Sequence, residues 1–205
     1  MKIEYLGHAC FKLTGEDGSL VIDPYKDGSV DGLVPLRTSA NHVICTHGHA
    51  DHSGTECVTL DGGECKMHID KIFSWHDDQQ GKLRGQNNMY VIESEGLRIA
   101  HIGDLGCMLD DEQARQLQNL DVLMIPVGGY FTIDARQAAE IAEQLKPKCV
   151  IPMHYRGDDF GYEVLAKVDD FLAIVGDYQE VGKEITVGDT SGVVVMSFWK
   201  RISVI

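Results

Sequence analysis

The sequence predicts an α/β sandwich, two β-sheets covered by helices. Three observations predict it. Short apolar, strand-like stretches run from the first residues to the last. Three amphipathic helical patterns fall among the later ones. The 205 residues, 43% of them hydrophobic, are enough for about one domain with a real core. Residues 1–205 are therefore read as a single domain, with no internal repeat, linker or low-complexity segment.

The elements follow in order. Residues 2–6, 9–13 and 20–23 are apolar stretches. The last two are separated by the turn Gly15-Glu16-Asp17-Gly18, and Asp23-Pro24 ends the third. Residues 41–46 are another short strand candidate, and residues 53–70 carry β-type pieces around Asp61-Gly62-Gly63. Residues 89–93 and 97–102 read as a hairpin turning at Ser94-Glu95-Gly96. Residues 121–126 and 148–153 are continuously apolar, as in strands buried on both faces. Residues 184–187 and 193–198 supply two more strands. Helices are expected over 110–119, 134–145 and 162–175. The second is the clearest: Ala138, Ile141, Ala142 and Leu145 share one face, Asp134 can cap its start with Gln137, and Pro147 follows its end.

Composition excludes several function classes. There are 32 acidic and 18 basic side chains, a formal charge of −14. A phosphate backbone needs clustered Lys and Arg, and the only such cluster is Lys200-Arg201, so no nucleic-acid partner is expected. A small anionic substrate remains compatible, because a local metal outweighs the global charge. No apolar run approaches the roughly 18 residues of a membrane span. Glu4, His8 and Lys12 interrupt residues 1–13 where a signal peptide would be apolar, so a soluble cytoplasmic protein is expected, with room for a homo-oligomer. The six cysteines contain no Cys-x-x-Cys and read as free thiols; Cys57 and Cys65 are the one pair to weigh against that.

One motif carries chemistry. In Thr46-His47-Gly48-His49-Ala50-Asp51-His52, three imidazoles and a carboxylate follow a strand candidate directly. These are metal ligands by type. Gly48 and Ala50 are small, so the ligands can turn toward a common centre. Asp51 and His52 are consecutive and must face different directions, which suits two adjacent ions better than one. At this chain's composition, about 0.002 chance matches are expected.

These residues resemble the signature of the metallo-β-lactamase fold superfamily of metal-dependent hydrolases. Further segments are similar to that superfamily in the right order. Tyr5-Leu6-Gly7-His8-Ala9 and Val21-Ile22-Asp23-Pro24 resemble the first strands of its small lactonase and phosphodiesterase-like branch, which includes L-ascorbate-6-phosphate lactonase. His101-Ile102-Gly103-Asp104-Leu105-Gly106 resembles its Gly-Asp motif, and Ile151-Pro152-Met153-His154-Tyr155 its last ligand strand. The resemblance spans Tyr5 to about Arg156 and implies a four-layer αββα sandwich with metals at one edge.

It also implies a ligand set. His47 and His49 would bind a first ion, Asp51 and His52 a second, with Asp104 bridging and His154 completing the second site. The third ligand of the first site is open among His76, His68 and His101, with His76 favoured because it follows a strand-like stretch. Only 23 residues separate His52 from His76. No helical pattern fills them, so the helix that the family carries there is expected to be lost or replaced by strand.

The chemistry implied is hydrolysis. Two zinc ions, with manganese or iron as alternatives, would hold a hydroxide at neutral pH against a small phosphodiester, lactone or related ester. The alternatives are a diiron redox protein or a non-catalytic metal-binding protein of the same fold. Diiron members typically place Glu where His49 stands, which favours hydrolysis. Asp51 and Asp104 are thus the central catalytic candidates. His8 is expected beside the ligands or the substrate, and His101 as a hydrogen-bonding or proton-donating group. Tyr155 and Arg156 are candidates to hold a substrate carboxylate or phosphate. The stretch Arg84-Gly85-Gln86-Asn87-Asn88 reads as a substrate loop or a polar turn, Gly128-Gly129 as a turn near the site, and His42 as structural.

Overall fold

The structure is a computed structural model and describes residues 1–198. The Lys200-Arg201 pair lies outside the described residues. In chain order the first strands are β1 (Lys2–Gly7), β2 (Cys10–Gly15), β3 (Gly18–Ile22), β4 (Thr38–Ala40), β5 (His42–Ile44), β6 (Val58–Leu60) and β7 (His68–Trp75). Then come β8 (Gln86–Ser94), β9 (Leu97–His101), β10 (Val122–Pro126), β11 (Cys149–Met153), β12 (Tyr178–Val181), β13 (Glu184–Thr186) and β14 (Gly192–Met196). The helices are α1 (Asp111–Gln116), α2 (Ala135–Leu145) and α3 (Val168–Val175).

The strands form two main sheets, as expected for an α/β sandwich. One runs β13-β1-β2-β3-β5 and the other β12-β14-β11-β10-β9-β8-β7; β4 and β6 pair apart from both. β1 buries Ile3 and Tyr5 at alternate positions, the pattern of a strand with one face in the core. β10 and β11 are buried at every residue because both of their faces are covered. Ile3, Phe11, Leu20 and Ile22 meet Ile99, Met124, Ile151 and Val194 between the sheets. On the far side of the larger sheet, Leu123 and Ile125 pack with Ile141 and Leu145 of α2 and Phe171 of α3. The outer face of the smaller sheet is covered differently. Cys10 and Val21 lie under Tyr25, Val30, Leu33 and Leu36 from the loop after β3, and under Ala40, Cys57 and Val58.

Several elements differ in extent from the sequence reading. The expected helix over 162–175 starts only at Val168. Its first residues are drawn out by backbone pairing: Ala166 N–H donates to Gly128 O, Arg156 N–H donates to Ala166 O, and Lys167 bridges Arg156. α1 is shorter than 110–119, because Leu117 leaves helical geometry and Asn119 is left-handed. α2 matches expectation, with the Asp134–Gln137 capping box and a left-handed Lys146 before Pro147. β8 begins three residues before the expected 89, and β12 lies in a segment with no strand expectation. After the histidine motif there is only a 3-10 turn at Thr55–Cys57, then strand. All six cysteines are free, so Cys57 and Cys65 are not paired. Among the described residues no helix is long and apolar enough to cross a membrane.

Candidate metal centre

Strand direction builds the centre. β1 and β3 each run antiparallel to β2, and β5 runs parallel to β3, so the three end at the same edge. In the other sheet β9, β10 and β11 are parallel, and β7 returns to the direction of β9 through the antiparallel β8. His8, Asp23 and the motif from Thr46 to His52 follow the ends of β1, β3 and β5. His76, Asp104 and His154 follow the ends of β7, β9 and β11. Ligand sites of α/β sheets commonly lie outside carboxyl ends of strands.

The donors converge in overlapping groups. His47, His49 and His76 form one, and His8, Asp51, His52 and His154 form another, with ligand atoms within 4.8 Å of one another in each group. Asp104 lies against both. Its Oδ2 is 3.1 Å from His154 Nε2, 3.3 Å from His76 Nε2 and 3.9 Å from His47 Nε2, while its Oδ1 is 3.3 Å from His52 Nε2. His8 Nε2 is 3.1 Å from Asp51 Oδ2.

One buried carboxylate orders two of the rings. Asp23 Oδ2 is 2.8 Å from His52 Nδ1 and also accepts the Thr46 hydroxyl at 2.6 Å. That hydroxyl, having given its proton to Asp23, can only accept from His47 Nδ1, 3.0 Å away. The network therefore places a proton on Nδ1 of both rings and turns both Nε2 atoms toward Asp104. Asp23 takes a left-handed backbone, φ 50°, to turn its carboxylate inward, a conformation that Asp tolerates better than most residues. The sequence reading assigned Asp23 no role.

Protonation in the cluster follows from burial and neighbours. Burial and His52 push His47 down to about 3, and burial and His154 push His8 down to about 4. Burial also lowers His76. His52 moves the other way: burial opposes its charge, but the Asp104 and Asp23 carboxylates hold it well above the ordinary imidazole value. Burial would raise Asp51 and Asp104. Instead, His52 and His8 hold Asp51 low, and His154 and His52 hold Asp104 low.

Close backbone contacts hold the turn that carries Asp104. Gly103 has φ 55°, and a Cβ there would stand 2.4 Å from Asn87 Oδ1 and 2.7 Å from Thr46 Cβ. Asn87 accepts Asp104 N–H at 3.0 Å and donates to Ser74 Oγ and Ile102 O. Asn88 donates through its side chain and its backbone to Thr46 O. These two asparagines lie in β8 and tie the turn and the motif loop together, rather than forming a substrate loop. Gly128 is needed for packing, since a Cβ there would stand 2.1 Å from His154 O.

Other sequence-predicted residues are placed elsewhere. His101 is buried and engaged at both nitrogens: Nε2 donates to Ala9 O at 2.8 Å and Nδ1 accepts Gly103 N–H at 3.2 Å, leaving no free atom for a proton transfer or a metal. His68 lies at the far end of β7, exposed and 3.1 Å from Asp70. His42 is exposed on β5. Tyr155 is buried in the core with residues of α2 and α3, past the left-handed His154 that ends the extended run of β11. Arg156 donates to Leu165 O and Gly157 O, which turns its guanidinium away from the cluster. The cavity of about 330 Å³ at the centre is instead lined by His49, Asp51, His76, Asp104 and His154 together with Arg84, Phe131 and Tyr162. The last two had no signal beyond being aromatic residues in loops.

The donors fit a metal. Nε2 of His47, His52 and His154 and Oδ1 of Asp104 are buried with no hydrogen-bond partner. The short contacts to Asp104 are thus close without being aligned as hydrogen bonds. Bare imidazole nitrogens facing carboxylate oxygens repel unless a cation or a proton lies between them.

Comparison with known proteins agrees. Residues 2–154 match the family described as Beta-lactamase superfamily domain. The chain is 30% identical over 221 residues to a UPF0173 metal-dependent hydrolase of Archaeoglobus fulgidus, covering 85% of this chain and 95% of that protein. It is 29% identical over 216 residues to another of that name from Thermococcus onnurineus, covering 88% and 95%. A crystal structure from Thermotoga maritima, whose description places it in the metallo-beta-lactamase superfamily, is 32% identical. It superposes with a TM-score of 0.77 over 97% of this chain and 99% of that one.

Proposed function

The chain belongs to the metallo-β-lactamase superfamily of metal-dependent hydrolases, and from that premise we propose that it cleaves a small phosphodiester, lactone or related ester at a pair of zinc ions. The observation that carries the proposal is the set of buried, unpartnered donor atoms on His47, His52, His154 and Asp104. His47, His49 and His76 would hold one ion, Asp51, His52 and His154 the other, and Asp104 stands within reach of both. When bound, two divalent ions would supply hydroxide at neutral pH and draw charge from the substrate oxygen. Imidazole and carboxylate donors without a thiolate suit zinc and admit manganese or iron.

The chain's own residues do the remaining work. Asp23 and Thr46 hold Nδ1 of His52 and His47 and so aim both Nε2 atoms at the place a metal would take. His8 steadies Asp51, its carbonyl anchored by Tyr5 OH and His154 N–H. Phe131 and Tyr162 wall the cavity and limit water around a bound substrate. Its volume supports a small molecule, and the net charge of −14 supports a substrate other than a polynucleotide. The resemblance to the lactonase branch favours lactones and phosphodiesters. Six free thiols are consistent with a cytoplasmic location.

Elemental analysis of the purified protein, with a panel of chromogenic phosphodiesters and lactones, tests the reading. Two equivalents of zinc, and turnover lost to a chelator and restored by zinc, are expected. Failure to take up metal, or turnover indifferent to the chelator, overturns it.

A further inference from the structure

Arg84 differs from several other arginines of the chain. Arg37 pairs with Asp27, Arg98 with Glu93 and Arg115 with Glu112. Among the described residues, Arg84 forms no ion pair, although the chain carries 32 carboxylates. Its guanidinium lies over the Phe131 ring, 5.5 Å from the centroid, and both side chains line the cavity that reaches His49, His76 and His154.

The loop that presents Arg84 is built around a single carboxylate. Asp77, next to His76, is buried. Its Oδ1 accepts the N–H groups of Gln79 and Gly81, each at 2.8 Å, and its Oδ2 those of Leu83 and Arg84 at 3.0 and 2.8 Å. Gly85 O accepts His76 N–H and Gly85 N–H donates to Gly81 O, closing the loop onto the end of β7. Gly81 has φ 76°, and a Cβ there would stand 2.6 Å from the Trp75 ring, so the loop packs tightly on that side as well. Arg84 thus starts from a rigid backbone and rests on an aromatic face, with its hydrogen-bonding edge unclaimed. That arrangement is pre-organised for a planar, two-oxygen anion.

We propose that Arg84, held over Phe131, is the recognition site for an anionic substituent, so that the substrate is a small ester carrying a carboxylate or phosphate group besides the bond that is cut. This rests on the hydrolase reading above. The cavity of about 330 Å³ is small enough that the anion and the scissile bond belong to one small molecule. A cation is needed at this place because the chain's charge of −14 repels anions at long range. A guanidinium within the cavity wall offsets that repulsion at the point of binding.

The test uses three γ-lactones of one skeleton, bearing a free carboxylate, its methyl ester, or a phosphomonoester. The zinc-loaded protein is expected to prefer an anionic member over the neutral ester by about tenfold or more in kcat/KM. Whether carboxylate or phosphate is preferred identifies the source. Arg84→Gln, which keeps the backbone N–H that Asp77 holds, should shrink that preference to near unity by raising KM on the anionic lactones. Arg84→Lys should retain part of it. Equal kcat/KM across the panel, or an undiminished preference in Arg84→Gln, overturns the proposal. No turnover of any member overturns the lactone reading of the substrate instead. In that case equilibrium binding of inorganic phosphate and of acetate decides about Arg84. A loss of about tenfold in Arg84→Gln for either anion supports the site, and equal affinities for both overturn it.

Discussion

Asp23 and His52 are 29 positions apart in sequence, and their side chains meet at 2.8 Å with both residues fully buried. The contact holds a proton on His52 Nδ1 and so turns Nε2 toward Asp104. Through Thr46 the same carboxylate does so for His47. Two rings from one motif are therefore set by a residue outside that motif.

Asp23→Asn tests this ordering. The carboxylate uses both oxygens, Oδ2 for His52 Nδ1 and the Thr46 hydroxyl and Oδ1 for Thr46 N–H. The amide keeps the size but has one acceptor oxygen, so one of these sets loses its partner and the rings lose their fixed orientation. Metal affinity is expected to fall by about 10–100-fold with the fold intact, as for other partners of ligating histidines. Competition with a calibrated chelator measures the affinity, and circular dichroism checks the fold.

Asp104 approaches both groups of donors, His47 and His76 in one and His52 and His154 in the other, whereas His154 belongs only to the group with His8, Asp51 and His52. Asp104→Ala should therefore lose both ions, and His154→Ala should selectively weaken the ion assigned to Asp51, His52 and His154. Activity should fall to background in each. Elemental analysis of the two variants checks the difference; equal and full metal content in Asp104→Ala contradicts it.

Gly103→Ala should damage the centre without touching a donor. The added Cβ would meet Asn87 and Thr46, and φ 55° is costly for any residue with a Cβ. A loss of about 1–3 kcal/mol is expected in urea unfolding, with metal affinity reduced because Asp104 shifts.

Asp77→Asn should free the loop that carries Arg84. An amide has one acceptor oxygen where the carboxylate offers two to four N–H groups. Hydrogen exchange at Gln79, Gly81, Leu83 and Arg84 should accelerate by about tenfold or more. The acid dependence has a definite sign. Burial would raise the Asp77 carboxyl, but the backbone N–H groups hold it below the ordinary value of 3.8. A group lowered in the folded state contributes stability above its unfolded value, and loses it as pH falls through its folded value. The loop should therefore stay protected at neutral pH and open only in strong acid, and Asp77→Asn should remove that acid step.

Much of the centre was legible because its chemistry is local. His47, His49, Asp51 and His52 lie within six residues, and so dense a cluster of donors is improbable by chance. His76, Asp104 and His154 each follow an apolar run, so their place at strand ends could be read from the pattern. His101 shows the limit of such reading. It stands three residues before Asp104, yet faces Ala9 O in the core. Tyr155 and Arg156 show it again, one facing the core and the other Leu165 O.

The sequence by itself determined the sheet-rich α/β architecture and the cluster of donors from His47 to His52, because hydrophobic periodicity and ligand type are properties of neighbouring residues. Only the tertiary structure decided which strands run parallel and bring their ends to one edge, and which ring nitrogen faces Asp104. It also decided that a loop wound on Asp77 places Arg84 against Phe131 from the far side of the cavity. Those facts depend on contacts between segments tens of residues apart. Such contacts form when sheets pack face to face, and no local pattern encodes them.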